Sequence, residues 1–82
     1  MTNFSFIGHV YKYERVYYRE TVYVKNQNGT LSVDFEPDYG VDDVLAGYHN
    51  CRDMTSYLVS IEGEIHGEWD SPRFVGKTIR VI

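Results

Sequence analysis

The residues with the clearest chemical capacity are Glu62, Glu64, His66, Glu68 and Asp70, which alternate with Gly63, Ile65, Gly67 and Trp69. Side chains two apart on a strand share a face at about 6.6 Å spacing, so alternation would put these carboxylates and the imidazole in one row. Such a row can ligate a divalent cation. A carboxylate pair at that spacing also falls between the distances used by retaining and inverting glycosidases. Against chemistry stands the length of 82 residues. A chain this short buries about 60–65% of the surface its unfolded form exposes, which leaves little for a deep, dry cleft or for groups supporting a metal. It also has no phosphate-binding glycine loop, CxxC pair, HExxH or Gly-x-Ser-x-Gly elbow. The row therefore reads as an acidic ridge, solvated or facing a partner, and the expectation is no enzyme, no metal and no cofactor.

A second acidic set points the same way. Asp34, Glu36 and Asp38 alternate along a candidate strand, and Asp42 and Asp43 follow at the start of a candidate helix. The formal net charge is only −4, but it comes in blocks. Residues 1–28 carry Lys12, Arg15, Arg19 and Lys25 against Glu14 and Glu20, a net +2. Residues 29–70 carry ten acids against Arg52 alone, a net −9, and residues 71–82 add Arg73, Lys77 and Arg80 with no acid, a net +3. Self-repulsion on one surface opposes folding, so the concentration suits attraction to a partner with a basic surface, such as a protein whose own ligand is nucleic acid. Charges about 6.6 Å apart are sparser than the one per ~1.7 Å of duplex DNA, which makes nucleic-acid mimicry partial at best. The first expectation is a non-enzymatic interaction module of the small phage or mobile-element inhibitor kind. It would dock a basic protein through Asp34, Glu36, Asp38, Asp42, Asp43, Glu62, Glu64, Glu68 and Asp70, with Tyr17 and Tyr18 as anchors.

The tyrosines carry the alternative. Tyr11, Tyr13, Tyr17, Tyr18 and Tyr23 are interleaved with Lys12, Arg15, Arg19 and Lys25 in the basic first block. Aromatic platforms with cations on a sheet bind single-stranded nucleic acid, each stacked base contributing about 1–3 kcal/mol. Small β proteins also use tyrosine simply to bury a ring and wet a hydroxyl. Because the local charge is modest beside the acidic total, nucleic acid bound through residues 11–25 stands as the lesser expectation.

The single residues read as structural. Cys51, the sole cysteine, cannot close an internal disulfide and is expected half-buried near a helix end. His9 and His49 read as satisfied structural histidines, and Trp69, by its parity, as core. Residues Met1 to Ile7 have no basic, then apolar, leader, and no apolar run reaches 18 residues. The expectation is a cytoplasmic chain without a membrane partner.

A β-rich α+β fold must position these groups, within one domain over 1–82. Phe4, Phe6 and Val10 alternate with Ile7, His9, Tyr11 and Tyr13, and Val22 and Val24 alternate with Tyr23 and Lys25. These two stretches turn around Glu14-Arg15 or form one long bent strand. Asn26-Gln27-Asn28-Gly29 predicts a tight hairpin, because Asn-Gly readily takes positive φ. Leu31, Val33 and Phe35 then face inward until Pro37. The spacing of Val41, Val44, Leu45 and Tyr48 predicts a short helix within 37–53. Odd residues from Tyr57 to Trp69 predict an apolar face, with a bulge near Gly63 and Gly67. Ser71-Pro72 reads as a break, and Lys77 to Ile82 as a last strand with Ile79 and Val81 inward. The order β-β-β-α-β-β is that of an oligonucleotide-binding-type, partly open barrel, and equally fits an antiparallel sheet on one short helix.

Overall fold

Five strands carry the chain: β1 Thr2–Val16, β2 Arg19–Asn26, β3 Gly29–Phe35, β4 Leu58–Glu68 and β5 Ser71–Val81. The computed structural model describes residues 2–36, 39–45 and 58–82, apart from the Asp42 side chain. In space the strands run β1-β2-β3-β5-β4 and close into a barrel. Closure replaces the expected flat sheet or partly open barrel, and it forces one departure from antiparallel pairing. A ring of five strands cannot alternate direction all the way round, so β3 and β5 run parallel, at Val33–Phe74 and Asp34–Val75. The closed ring removes the open strand edges that would otherwise pair with another chain.

Strand β1 has two partners. Thr2 to His9 pair with β4, and His9 to Val16 pair with β2. A bulge between Val10 and Lys12 interrupts the β2 ladder and lets the strand bend from one neighbour to the other. It also resets the alternation of side chains. Val10 is buried, Tyr11 and Lys12 both lie outside, and Tyr13, which shares the parity of Tyr11, packs against the core.

The turns differ from expectation at two of three places. The β1–β2 turn falls at Tyr17-Tyr18, inside the Val16–Arg19 pair, three residues beyond Glu14-Arg15. Neither glycine nor proline marks it, and neither tyrosine takes a positive φ. The β2–β3 hairpin forms where Asn-Gly predicts it, inside the Asn26–Gly29 pair. Asn28 N–H donates to the Asn26 side chain at 2.8 Å, and only Gly29, at φ 143°, takes the conformation that side chains avoid. The β4–β5 turn is Trp69-Asp70, inside the Glu68–Ser71 pair. Trp69 is therefore a hairpin tip, 92% exposed, and not core. Strand β5 starts at Ser71, with Pro72 paired opposite Gly67. The β3 ladder reaches only Phe74 and Val75, so on that side no neighbour requires the amide hydrogen that Pro72 lacks.

The barrel interior follows the inward parities. Val10, Val22, Val24, Val33, Phe35, Val59, Ile61 and Ile79 are all buried, each worth about 1.5–3 kcal/mol when fully withdrawn from water. Val81, expected inward, is exposed because it lies at the end of its strand. The β4–β5 ladder shifts register between Glu62 and Gly63, but the extra residue is Lys77 on β5, since Glu62 pairs with Thr78 and Gly63 with Gly76; the bulge expected in β4 itself is not seen. There the strands approach so closely that a Cβ at Gly63 would meet the Val75 carbonyl, and one at Gly76 the Phe35 ring.

The helix predicted within 37–53 is not confirmed. Among the described residues it is one four-residue turn, Val41–Val44, too short to be stable without packing. Val41 and Leu45 nonetheless enter the core. Tyr39 ties the segment down, with its ring 5.2 Å from that of Phe35 and its hydroxyl accepting the Ile79 N–H at 3.0 Å. Asp38, Tyr48, His49 and Cys51 lie outside the described residues.

Candidate functional site

The bulge that turns Tyr13 inward gathers a set of rings and cations on the outer face of β1 and β2. Tyr11 and Tyr23 sit with ring centres 6.1 Å apart and planes tilted by 58°. Lys12 Nζ lies 5.2 Å from the Tyr23 ring centre, and Lys25 Nζ lies 5.7 Å from that of Tyr11. Nearer the β1–β2 tip the Arg19 guanidinium lies 5.7 Å from the Tyr18 ring. A cation over a ring is attracted by the ring's electrons yet keeps its charge available to solvent and to a ligand. One of these cations also has an acid. Glu14 pairs with Lys12 Nζ at 2.7 Å; the hydrogen bond and the charge of Lys12 hold the Glu14 carboxyl below its ordinary range, and Glu14 holds the Lys12 ammonium above its own.

Beside the ring pair opens a groove of about 420 Å³, bordered by Tyr11, Tyr23, Ser32, Asp34, Arg73 and Phe74. It crosses from β1 and β2 over β3 to the start of β5. Asp34 accepts hydrogen bonds from the Thr21 hydroxyl at 2.9 Å and from Arg73 Nε at 3.1 Å. Two hairpin tips carry further aromatics. Tyr17 is 99% exposed and Tyr18 68% at the β1–β2 tip, and Trp69 stands at the β4–β5 tip. Because β3 and β5 run parallel, the β4–β5 tip shares an end of the barrel with the β2–β3 turn, and the β1–β2 tip lies at the other end. Large aromatic side chains are thus held in water at both ends of the barrel.

The acidic residues do not assemble into one surface. Asp34 and Glu36 belong to the β3 side and Glu62, Glu64 and Glu68 to β4, and between these strands runs β5 with exposed Arg73, Lys77 and Arg80. Glu36, Asp43, Glu62, Glu68 and Asp70 are exposed. Asp34 is paired with Arg73, and Glu64 lies 3.1 Å from His66 Nε2 and 3.7 Å from Lys77 Nζ. The structure says nothing of Asp38 or of the Asp42 side chain. Among the described residues no three His, Cys, Asp or Glu side chains converge as metal ligands do.

Two polar residues entered the sequence reading only as charges, with no structural or binding role. Arg73 was hidden by reading Ser71-Pro72 as a break. Glu20 is 1% exposed; Tyr13 O–H donates to its Oε1, and its Oε2 has no partner among the described residues. Inward parity with Val22 and Val24 was the available signal. His9, expected to be satisfied, has its Nδ1 buried without a partner among the described residues.

No protein-family model and no curated protein sequence matches the chain. Solved structures do. The chain is similar to the Replication Protein A heterotrimer bound to ssDNA, with TM-score 0.70 and 13% identity over 100% of this chain and 58% of that one. It is similar to the S. pombe Stn1–Ten1 complex, with TM-score 0.72 and 10% identity over 100% and 59%. It is also similar to the S. cerevisiae mitochondrial single-stranded DNA binding protein Rim1, with TM-score 0.65 and 12% identity over 99% and 92%. The chain spans about three fifths of the length of the first two. At such identities the likeness establishes the fold alone, and that fold is a small closed five-stranded barrel of the oligonucleotide-binding type.

Proposed function

We propose that this chain is a non-enzymatic binder of single-stranded nucleic acid, which it holds on the outer face of β1 to β3. The observation that carries the reading is the Tyr11–Tyr23 pair, flanked by Lys25 and Lys12, at the border of the groove. Half-buried rings at the border of a groove offer a base a stacking face whatever its identity, and the cations offer the backbone its counter-charges. The tips bearing Tyr17, Tyr18 and Trp69 supply further stacking surface along the strand's path. In barrels of this type the face of strands 2 and 3, with the loops joining strands 1–2 and 4–5, is where oligonucleotides bind. Two of the similar structures fit that use: Replication Protein A, solved bound to ssDNA, and Rim1, a single-stranded DNA binding protein.

A basic protein docked on the acidic residues has no comparable support. Those acids are divided by the cations of β5, and two of them are already paired internally. The net charge of −4 works against a polyanion at long range, so binding must be local in origin, through cations that contact phosphates and lose affinity as salt rises.

The test is fluorescence anisotropy with a labelled single-stranded oligonucleotide of about 16 nucleotides, the upper end of one barrel's footprint, against a duplex of the same sequence. The expected result is binding that favours the single strand, weakens as salt rises and falls by about 1–3 kcal/mol in Tyr23→Ala. Flat anisotropy at the lowest salt, or an unchanged affinity in Tyr23→Ala, would remove the proposal.

A further inference from the structure

Asp34 is out of place in a groove that receives a polyanion, and its geometry gives it a use. We propose that Asp34 is a positioning residue that aims Arg73 at a phosphodiester of the bound strand; this rests on the nucleic-acid reading above. The Asp34 side chain is 17% exposed and that of Arg73 61%, so the acid is sheltered behind the base. Each carboxylate oxygen already has a protein donor, Thr21 on Oδ1 and Arg73 on Oδ2. The arginine is gripped through Nε. That grip fixes the plane of the guanidinium while leaving both terminal NH2 groups unused by Asp34. A phosphate accepts two parallel N–H bonds from such a fork, whereas a carboxylate that took the fork itself would have blocked it.

The relay runs across three neighbouring strands. Thr21 is opposite Asp34 in the β2–β3 ladder, and Asp34 is beside Val75 in the β3–β5 ladder. Tyr23 is opposite Ser32, two residues further along β2 on the face that carries Thr21. A base stacked on Tyr23 therefore brings its backbone into the groove that Arg73 borders. Asp34 offsets part of the arginine's charge but leaves its terminal donors free, since what it holds is the one N–H that a phosphate fork does not need.

The β3–β5 ladder is only two residue pairs long, so a clip across the barrel seam is the competing role. A third possibility is plain repulsion of the ligand by the carboxylate. Anisotropy across a salt series separates them, using a labelled single-stranded deoxythymidine oligonucleotide of about 16 nucleotides. Wild type, Tyr23→Ala, Asp34→Asn, Arg73→Ala and the Asp34→Asn/Arg73→Ala double variant are compared, with melting temperatures recorded for each. Arg73→Ala is expected to weaken binding roughly tenfold and to flatten the log–log salt slope by about 0.7, one phosphate contact on a single strand. Asp34→Asn is expected to weaken binding and flatten the slope in the same direction although it removes a negative charge. It is expected to add nothing in the Arg73→Ala background. A seam clip would lower the melting temperature and the active fraction but leave the slope at its wild-type value, and that result overturns the proposal. Tighter binding in Asp34→Asn overturns it too, as does a full Asp34→Asn effect in the absence of Arg73. If wild type binds and Tyr23→Ala does not, any of these failures removes the role of Asp34 and leaves the binding function standing. A wild type that binds no oligonucleotide removes both.

Discussion

On the outer face of β1 and β2, three cations lie over aromatic rings; on β4, the Glu64 carboxylate lies beside Lys77 of β5 and His66 of its own strand. Both faces alternate charged and apolar residues in the sequence, and both look equally able to meet a partner. Their surroundings separate them. A lysine over a tyrosine keeps its charge for a ligand, and the ring beneath it is a contact surface in its own right. Glu64 already has Lys77 and His66 as neighbours within the chain, and partly exposed pairs of that sort contribute at most about 1 kcal/mol to stability. The comparison teaches that a charge count locates a binding face poorly unless the neighbours brought by the next strand are known.

The contrast can be broken in several ways, and the largest effect is expected from the rings. Tyr11→Ala combined with Tyr23→Ala removes both platforms and should cost about 2–6 kcal/mol of oligonucleotide affinity, at one to three per base, as read by anisotropy. Retention of most of the affinity would transfer the site to the hairpin tips. The β4 side is expected to act through stability instead. Gly63→Ala pushes a Cβ against the Val75 carbonyl and the Phe4 ring, so overpacking should lower stability by about 1–3 kcal/mol in a denaturant titration. The affinity of the folded fraction should stay as it was. A smaller effect is expected from Glu62→Lys with Glu68→Lys, both exposed. It should leave melting nearly unchanged and tighten oligonucleotide binding by less than about threefold at low salt, fading as salt rises. Loss of a protein partner in a pull-down with that variant would restore the acidic face as the functional one.

The smallest effect is expected at the Lys12–Glu14 ion pair on the ring-bearing face. Glu14 is lowered from its ordinary 4.5 by the hydrogen bond and charge of Lys12, so its stabilising contribution is present above that value and lost as pH falls through the lower folded one. The Lys12 contribution, with its value raised from 10.5, is present below that pH and lost as pH rises through the higher folded value. Glu14→Gln should slightly flatten the acid side of a melting-temperature profile. It should also tighten oligonucleotide binding a little, by releasing Lys12. An unchanged profile would mean that the pair is immaterial to stability.

The legibility of the molecule followed its periodicity. Leu31, Val33 and Phe35, then Val59 and Ile61, alternate cleanly, and their inward face could be read because a strand's parity is local information. The β2–β3 hairpin was equally legible, since Asn28-Gly29 carries its own turn chemistry. Parity failed where the backbone inserts a residue. The bulge between Val10 and Lys12 inverts Tyr13 relative to Tyr11, and no residue in that stretch announces it. Trp69 was misplaced for a related reason: its odd parity holds up to the tip, but a hairpin tip has no inside. Closure was legible only as one of two alternatives, a partly open barrel beside a plain antiparallel sheet. It depends on Val33 and Asp34 finding Phe74 and Val75, a pairing across some forty residues that neither segment signals on its own. Arg73 and the groove were lost with it.

The most direct test of the central claim is amide NMR mapping of the chain titrated with a single-stranded oligonucleotide at low salt. Shifts clustered on Tyr11, Lys12, Tyr23, Lys25, Ser32 and Arg73, extending to Tyr17, Tyr18 and Trp69, are the expected result. Shifts confined to Glu62, Glu64 and Glu68, or no shifts at all, would contradict it.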